Sequence, residues 1–295
     1  MKSRNTFILF GVLVILVLVY LAVSYFGSDN RSKSFRSELV EIKKDEVTRI
    51  EIKSGGSSMV LNEGPENWQV QLADGKFKPA KAANVNSLLS TLSSIVPSRI
   101  ASRSSDQWSD FQVDSAGMEV IVFEGGSKSL DIIVGRFGME GQRSFYTYVR
   151  LADEQDTYVV NDFMSMSISK DPNAYRNNEI LRSKKDSITS ISFNYPDDNF
   201  TIIKSDGGWL IGNAPADSTN MASYLSGLSL VTSRLFTESM GEPSNMVTFQ
   251  FSNQDDIAIA IDDNNSLSTS YNEHEYFSDS TVTQKLFKDR SYFLP

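Results

Sequence analysis

An ordered internal repeat constrains the fold of this chain more than any other feature of its sequence. The segment Val47–Ile52 (VTRIEI) reappears as Ile188–Phe193 (ITSISF), and Trp68–Val70 (WQV) reappears at the same offset as Trp209–Ile211 (WLI). Further matches follow in the same order: Pro79-Ala80 with Pro215-Ala216, Asn84 with Asn220, Leu88 with Tyr224, Leu92 with Leu228 and Arg99 with Arg234. Self-similarity that runs in order through a strand, a Trp, a Pro and a helix indicates duplication of one structural unit.

The hydrophobic pattern of each repeat predicts short strands, one helix and then further strands. Alternating apolar residues predict strands at 47–52, 59–61, 68–72, 118–123, 130–134, 145–150 and 157–161, and in the second repeat at 246–251, 257–261 and 268–271. Apolar residues from Val85 to Val96 have helical spacing, and Pro97 is expected to end that helix. We therefore predict an α+β fold of two tandem repeats, each an antiparallel sheet with one long amphipathic helix.

An uncharged stretch of 20 residues, Phe7–Phe26, lies near the N-terminus. A helix of that length is about 30 Å long, which matches the hydrocarbon core of a bilayer. The alternative is a cleaved signal peptide with a cleavage-like site at Ala22-Val23-Ser24, but the apolar run exceeds the roughly 7–15 residues of such peptides. We predict an uncleaved N-terminal transmembrane helix.

The predicted organisation has four parts. Residues 1–26 form the anchor, 27–37 a polar tether, 38–182 the first α+β repeat unit and 183–295 the second. Lys2 and Arg4 precede the anchor, whereas Arg31, Lys33 and Arg36 follow it. These charges alone leave the orientation open, because long domains cross membranes largely regardless of flanking charge.

Composition excludes several classes of function. The chain has no Cys, which excludes disulfides, thiolate metal sites and cysteine nucleophiles, and its single His, His274, excludes a His-rich metal site. Its 28 Lys and Arg stand against 37 Asp and Glu, a formal net charge of −9, which argues against nucleic acid as a partner.

Candidate chemical motifs have simpler structural interpretations. There is no phosphate-binding G-x-x-x-x-G-K-[ST] motif, and Gly135-x2-Gly138-x2-Gly141 is predicted to be a turn between strands. His274 lies in a polar, acidic segment without a G-x-S-x-G motif, so we predict a surface or strand-edge His rather than a general base. Asp262–Ser266 offers oxygen ligands at calcium-loop spacing but has Leu267 where such loops need Gly, so a hairpin turn is favoured. No catalytic, cofactor-binding or metal-binding residue is therefore assigned.

The aromatic residues leave two questions open. Trp68 and Trp209 suggest a sugar-stacking platform, but their equivalent places in the two repeats favour paired, largely buried core residues. The role of Trp108 is open. Tyr146, Tyr148 and Arg150 share one face of a strand, and that face is either an exposed contact surface or part of a sheet packed under the helix.

A set of motifs spread along the chain carries a family resemblance. They are Phe35-x3-Leu39-x2-Ile42, the V-T-x-I-x-I strand, W-x-V, the Pro-Ala before the helix, Trp108-Ser109-Asp110-Phe111, Val134-Gly135, Tyr148-Val149-Arg150 and Tyr158-Val159-Val160. Over about residues 35–295 the chain resembles the bacterial family catalogued as domain of unknown function 4340, especially its Bacteroidota members. The resemblance implies one N-terminal membrane helix, a domain that faces the periplasm, and kinship with auxiliary components of gliding-type ABC transporters. The family has no established catalytic residues to carry over.

These observations predict a single-pass protein of the bacterial inner membrane with its C-terminal domain in the periplasm. The first hypothesis is a non-enzymatic interaction or accessory module of a transporter or envelope assembly. Its expected partner is an integral membrane protein, an ABC permease subunit being the first candidate. The alternative is a periplasmic module that binds a glycan or lipid. A hydrolase is the third hypothesis, which clustered carboxylates with raised pKa values in a cleft would support.

Overall fold

The computed structural model describes residues 38–141 and 144–295, and for Lys185 its backbone alone. The predicted anchor at Phe7–Phe26 and the tether at 27–37 lie outside these residues. Among the residues that the structure describes, no helix is long and apolar enough to cross a membrane.

Two nine-stranded antiparallel sheets dominate the chain, which confirms the α+β class. The first sheet contains β1 (Val47–Ser54), β2 (Ser57–Glu63), β3 (Trp68–Gln71), β4 (Phe77–Pro79), β5 (Pro97–Ser102), β6 (Met118–Glu124), β7 (Ser127–Glu140), β8 (Ser144–Leu151) and β9 (Thr157–Val160). The second contains β11 (Ile188–Asn194), β12 (Asn199–Ser205), β13 (Gly208–Ile211), β14 (Ala214–Pro215), β16 (Phe236–Thr237), β17 (Asn245–Phe251), β18 (Ile257–Ile261), β19 (Leu267–Thr269) and β20 (Tyr276–Phe277). A separate two-stranded sheet pairs β10 (Glu179–Arg182) with β15 (Leu230–Thr232).

The two large sheets have the same strand order. The first runs β4-β3-β2-β1-β6-β7-β8-β9-β5, and the second runs β14-β13-β12-β11-β17-β18-β19-β20-β16. A strand that comes after the helix lies at the far edge of each sheet: β5 in the first, and β16, which follows β15, in the second. The two orders are those expected of the repeat predicted from the sequence.

Register agrees with the sequence alignment at the level of single residues. Trp68 pairs with Glu63 across β3 and β2, and Trp209 pairs with Lys204 across β13 and β12. The carbonyl oxygen of Trp68 accepts a hydrogen bond from the backbone N–H of Ala80, as that of Trp209 does from Ala216. The two Trp therefore occupy equivalent positions.

Within residues 38–141 and 144–295, five α-helices accompany the strands: α1 (Ala82–Leu92), α2 (Trp108–Phe111), α3 (Met164–Ser167), α4 (Ser218–Ser226) and α5 (Ser280–Leu286). The long helix predicted between Val85 and Val96 is α1, which begins earlier and ends at Leu92. Val96, predicted to lie on its apolar face, is 53% exposed. Helix α4 begins at Asp217, whose Oδ1 accepts from the backbone N–H of Asn220 at 2.7 Å.

By spatial contacts the described chain forms two compact units. The first comprises the described residues up to Ser58 together with Leu88–Ile168, and the second comprises Met59–Ser87 together with Ser169–Pro295. The second unit has a large apolar cluster, in which Phe193, Phe249 and Phe293 are fully or almost fully buried. In the first unit a smaller cluster contains Val113, Tyr148 and Val159.

The structure corrects the sequence-based prediction for the glycine-rich segment. Gly135 and Gly138 lie inside β7 rather than in a turn, and only Gly141, with φ of +67°, lies at the end of the strand. A Cβ on Gly135 would lie 2.3 Å from the carbonyl oxygen of Phe111. These glycines permit close approach inside the sheet, a requirement that spacing along the chain does not reveal.

Candidate functional site

A buried ion pair lies at the base of the candidate site in the second compact unit. Glu275 has no exposed side-chain surface, and Arg176 is 3% exposed. Nε of Arg176 donates to Oε1 of Glu275 at 3.0 Å, and Nη2 donates to Oε2. The guanidinium also lies 3.8 Å from the centroid of the Phe236 ring. Two-point bonding and stacking together offset the cost of removing both charges from water.

Further polar contacts fix the loop 270–274 next to this pair. Nζ of Lys78 lies 3.9 Å from Oε2 of Glu275 and donates to the backbone oxygen of His274 at 2.5 Å. The side-chain amide of Asn272, which is buried, donates to the carbonyl oxygen of Asn177 at 2.8 Å. Because buried groups hold this loop at several points, its exposed side chains have a defined position.

Glu179 is a second centre of charge beside the same loop. Its Oε1 accepts from Nη2 of Arg182 at 2.6 Å and lies 3.1 Å from Nζ of Lys81, while its Oε2 accepts from the hydroxyl of Tyr271 at 3.3 Å. The hydrogen bond from Arg182, followed by that from Lys81, lowers the pKa of Glu179 to about 2. Such a carboxylate stays ionised at neutral pH and is unsuited to act as a general acid.

A polar groove of about 540 Å³ lies between the turn before β3 and the loop 270–274. We call it the Trp68 groove and define it by two aromatic residues, two carboxylates and two amides: Trp68 and Tyr271, Glu66 and Glu273, and Asn67 and Gln69. Its volume lies within the range of small-molecule sites. None of the residues that line it is Lys or Arg, and its basic side chain is His274.

The polar groups of the groove are available to a ligand. Within the described part of the chain, the indole Nε1 of Trp68, the amides of Asn67 and Gln69 and the carboxylate of Glu273 make no hydrogen bond or ion pair. Trp68 is half-buried, whereas Asn67 and Glu273 are exposed. Trp68 thus exposes part of its surface to the groove, and its place in a core stays a prediction.

Trp209 differs from Trp68 although the two positions are equivalent. Trp209 is also half-buried, but it packs against the large apolar cluster of the second unit. At the repeat offset, Gly207, Gly208 and Leu210 stand where the groove has Glu66, Asn67 and Gln69. The core interpretation thus fits Trp209, and the polar residues that flank Trp68 have no polar counterparts beside Trp209.

Trp108, whose role the sequence left open, covers an arginine in the first unit. The guanidinium carbon of Arg150 lies 3.8 Å from the centroid of the indole, and Nε1 of Trp108 donates to the carbonyl oxygen of Gln155 at 3.0 Å. Arg150 is 5% exposed and donates to four backbone carbonyls, including that of Val113. A second groove, of about 510 Å³, also includes Trp108 and Arg150, but both are already engaged within the protein.

The face shared by Tyr146, Tyr148 and Arg150 is packed rather than free. Tyr148 lies 4.5 Å from Phe111 and 5.3 Å from Tyr146 between ring centroids. Tyr148 and Arg150 are both buried. This face therefore supports the segment around α2 and is not a contact surface.

The opposite face of the same hairpin carries an exposed apolar surface. Phe137, Met139 and Phe145 lie on β7 and β8, where Met139 pairs with Phe145. The Phe163 ring lies 4.3 Å from that of Phe145 and 5.9 Å from that of Phe137. Phe163 is 42% exposed, Met139 57% and Met166 of α3 68%. We call these five residues the Phe–Met surface.

Comparison with known proteins identifies the family. The family described as domain of unknown function (DUF4340) matches residues 68–254, which is more than half of the chain. The chain belongs to this family. No match was found among curated proteins or among solved structures.

In this DUF4340 protein the two remaining candidates from the sequence, His274 and Asp262, lie in segments that the structure describes. His274 is exposed, as predicted, and only its backbone oxygen takes part in the contacts described above. Asp262 begins the turn between β18 and β19: its Oδ1 accepts from the backbone N–H groups of Asn264 and Ser266, and Oδ2 from that of Gly241. These bonds, with Gly241 first, lower the pKa of Asp262. The hairpin-turn prediction is confirmed.

The sequence did not identify the Trp68 groove or the Phe–Met surface of this family member. The run Glu66-Asn67-Trp68-Gln69 was a usable signal, because three polar residues flank one aromatic residue at the end of a strand. No comparable local signal exists for the Phe–Met surface, whose members come from two strands and a helix. Among the described residues, no cluster of three or more His, Asp or Glu is arranged to hold a metal ion.

Proposed function

We propose that this protein is a single-pass component of the bacterial inner membrane whose domain lies in the periplasm and binds an integral membrane protein. In this proposal it is a non-enzymatic accessory part of a transporter or envelope assembly, and a permease-like subunit is the first candidate partner. Its two sheets, with their equal strand order and equal Trp register, derive from duplication of one unit.

The Phe–Met surface is the observation that carries the proposal. Aromatic residues and Met are enriched at protein–protein interfaces, and flexible Met side chains fit irregular apolar partners. Other exposed large apolar side chains, such as Ile203 and Leu235, lie elsewhere in the chain, whereas here exposed Met139, Phe163 and Met166 accompany the half-buried rings of Phe137 and Phe145. Large apolar side chains grouped at the surface in this way support an interaction site on this face.

The predicted anchor at Phe7–Phe26 supports a partner that is embedded in the same membrane. A tethered domain searches the membrane plane, so the local concentration of membrane-embedded partners is raised without any additional contact. The acidic charge of the chain opposes adhesion to anionic lipid headgroups, which leaves proteins as the favoured partners.

Site-specific photocrosslinking in intact cells tests this proposal. A photoreactive amino acid at Met166 should capture an integral membrane protein, and Phe163→Asp in the same chain should abolish that capture. The control places the same group at Ile203, which is 54% exposed and distant in sequence. Equal capture from Met166 and Ile203, or capture unaffected by Phe163→Asp, would contradict the proposal. Replacement of residues 1–26 by a cleavable secretion signal should weaken the capture.

A second candidate function is the binding of a periplasmic ligand. The specific observation that favours it is the Trp68 groove, in which the indole Nε1 of Trp68, the side-chain amides of Asn67 and Gln69 and the carboxylate of Glu273 have no hydrogen-bond partner within the described residues.

A further inference from the structure

We propose that the Trp68 groove binds a neutral saccharide. This inference rests on the second candidate function and is independent of the Phe–Met surface, so the two can fail separately. It assigns a binding site to residues Glu66, Asn67, Trp68, Gln69, Tyr271 and Glu273.

The aromatic residues provide the apolar half of such a site. A pyranose ring has a face of C–H groups that packs against the electron-rich face of an aromatic ring. Trp68 is half-buried and lines the groove, and Tyr271 is 38% exposed beside it. The hydroxyl of Tyr271 is bonded to Glu179, so this ring is held in place while it remains accessible.

The polar residues match the edge of a saccharide, where each hydroxyl both donates and accepts. The side-chain amides of Asn67 and Gln69 offer donors and acceptors, and the carboxylates of Glu66 and Glu273 offer acceptors. An anionic ligand would meet two carboxylates and no Lys or Arg among the lining residues. A neutral, hydroxyl-rich ligand satisfies these groups best.

The groove is preorganised by groups that a ligand does not touch. The loop with Glu273 is held by the buried Arg176–Glu275 pair, by Lys78 and by Asn272. Sugars, which bind proteins weakly, gain affinity when the side chains of the groove are already fixed, because less conformational freedom is lost on binding. The buried charges thus have a positioning role beneath the binding site.

The second copy of the repeat provides an internal comparison. It keeps the Trp as Trp209 but has Gly207, Gly208 and Leu210 in place of the polar residues. Packing alone accounts for Trp209, which contacts the apolar cluster. Packing does not account for Glu66, Asn67 and Glu273, whose side chains are exposed and make no hydrogen bond or ion pair within the described residues.

Calorimetric titration of the full chain with defined oligosaccharides tests the site. The probes are cellotriose, maltotriose and tri-N-acetylchitotriose, with the protein in a polyoxyethylene ether detergent because maltoside headgroups would compete. We expect at least one probe to bind. Trp68→Ala should weaken its binding by about tenfold or more, which corresponds to one aromatic contact of ordinary strength.

Two further variants separate binding from folding. Asn67→Ala combined with Glu273→Ala changes exposed side chains without partners in the described residues, so the fold should persist while binding falls by about tenfold. Trp209→Phe is the matched control and should leave affinity unchanged. Trp68→Phe should abolish the change of tryptophan fluorescence on binding, whereas Trp108→Phe should keep it.

Three results would overturn the assignment. They are the failure of every oligosaccharide to bind, retention of full affinity by Trp68→Ala or by the Asn67 and Glu273 double variant, and binding of choline or spermidine in place of the saccharides. The last result would redefine the groove as an aromatic site for organic cations.

Discussion

At the scale of single residues, the buried carboxylate of Glu275 is important for the stability of the second unit. It is fully buried, and its charge is balanced by Arg176 with additional support from Lys78. Removal of one member of a buried pair leaves the other charge uncompensated, which costs about 3–5 kcal/mol. We expect Glu275→Gln to lower the free energy of unfolding in urea by that amount.

The controls for this substitution come from the same chain. Lys43→Gln removes an exposed ion pair with Glu46 and should leave the urea midpoint unchanged. Arg176→Met combined with Glu275→Leu should recover part of the lost stability, because it removes both charges together. A midpoint for Glu275→Gln equal to that of Lys43→Gln would refute the proposed role of the pair.

Glu179 makes folding stability depend on acidity. Its pKa is lowered from 4.5 to about 2 by Arg182 and Lys81, so the unfolded chain binds this proton more readily than the folded one. The stabilisation is complete above pH 4.5 and is lost as the pH falls toward 2. Glu179→Gln should be less stable than the wild type at pH 7, and the difference should shrink across this window. Parallel curves of unfolding free energy against pH would disprove the linkage.

Only part of this residue-level chemistry could be predicted from the sequence. His274 was correctly placed at the surface because its neighbours are polar, and Asp262 in a turn because Asp and Asn favour one. Glu275 has the same polar neighbours as His274, yet it is buried. Its burial depends on Arg176, a partner from another part of the chain, and no local pattern encodes that pairing.

At the scale of secondary-structure elements, the pairing of β7 with β8 depends on a glycine covered by an aromatic ring. Gly138 lies opposite Tyr146, and a Cβ at position 138 would lie 2.3 Å from two carbon atoms of the Tyr146 ring. Overpacking of this kind costs about 1–3 kcal/mol. Gly138→Ala should therefore lower the melting temperature in a calorimetric scan.

Gly207→Ala is the matched control for this element, because no atom lies within 4 Å of the Cβ it would add. It should leave the melting temperature unchanged. Tyr146→Ala should relieve part of the cost when combined with Gly138→Ala. If the Gly138→Ala and Gly207→Ala variants have the same melting temperature, the Tyr146 ring does not restrict position 138.

Alternation of apolar residues predicted most strands of the first sheet and β17, β18 and β19 of the second, because one period-two pattern is sufficient to identify a half-buried strand. Segments that break this alternation were harder to predict. The glycines of β7 suggested a turn, since the covering Tyr146 belongs to another strand. Strands of two residues, such as β14 and β20, are too short for any periodicity.

At the scale of the whole molecule, charge decides which surfaces the domain can approach. The chain has a formal net charge of −9, to which Lys2 and Arg4 of the predicted anchor contribute two positive charges, so the remainder is more acidic still. Without residues 1–26 the domain should not sediment with phosphatidylglycerol vesicles, because like charges repel. The full chain should remain with the vesicles. Sedimentation that increases with phosphatidylglycerol content in the shortened form would show that lipid headgroups are a partner.

The strand order of the second sheet also predicts the order in which its strands pair during folding. Strand β16 precedes β17 to β20 along the chain, yet its partner is β20, and Phe236 stays unpaired until Phe277 arrives. Closure of so long a loop is entropically costly, so this pairing is expected to form after the folding barrier. Phe236→Leu should accelerate unfolding in stopped-flow experiments and leave the refolding rate nearly unchanged. Because Arg176 stacks on Phe236, the first opening of that edge admits water to the Arg176–Glu275 pair.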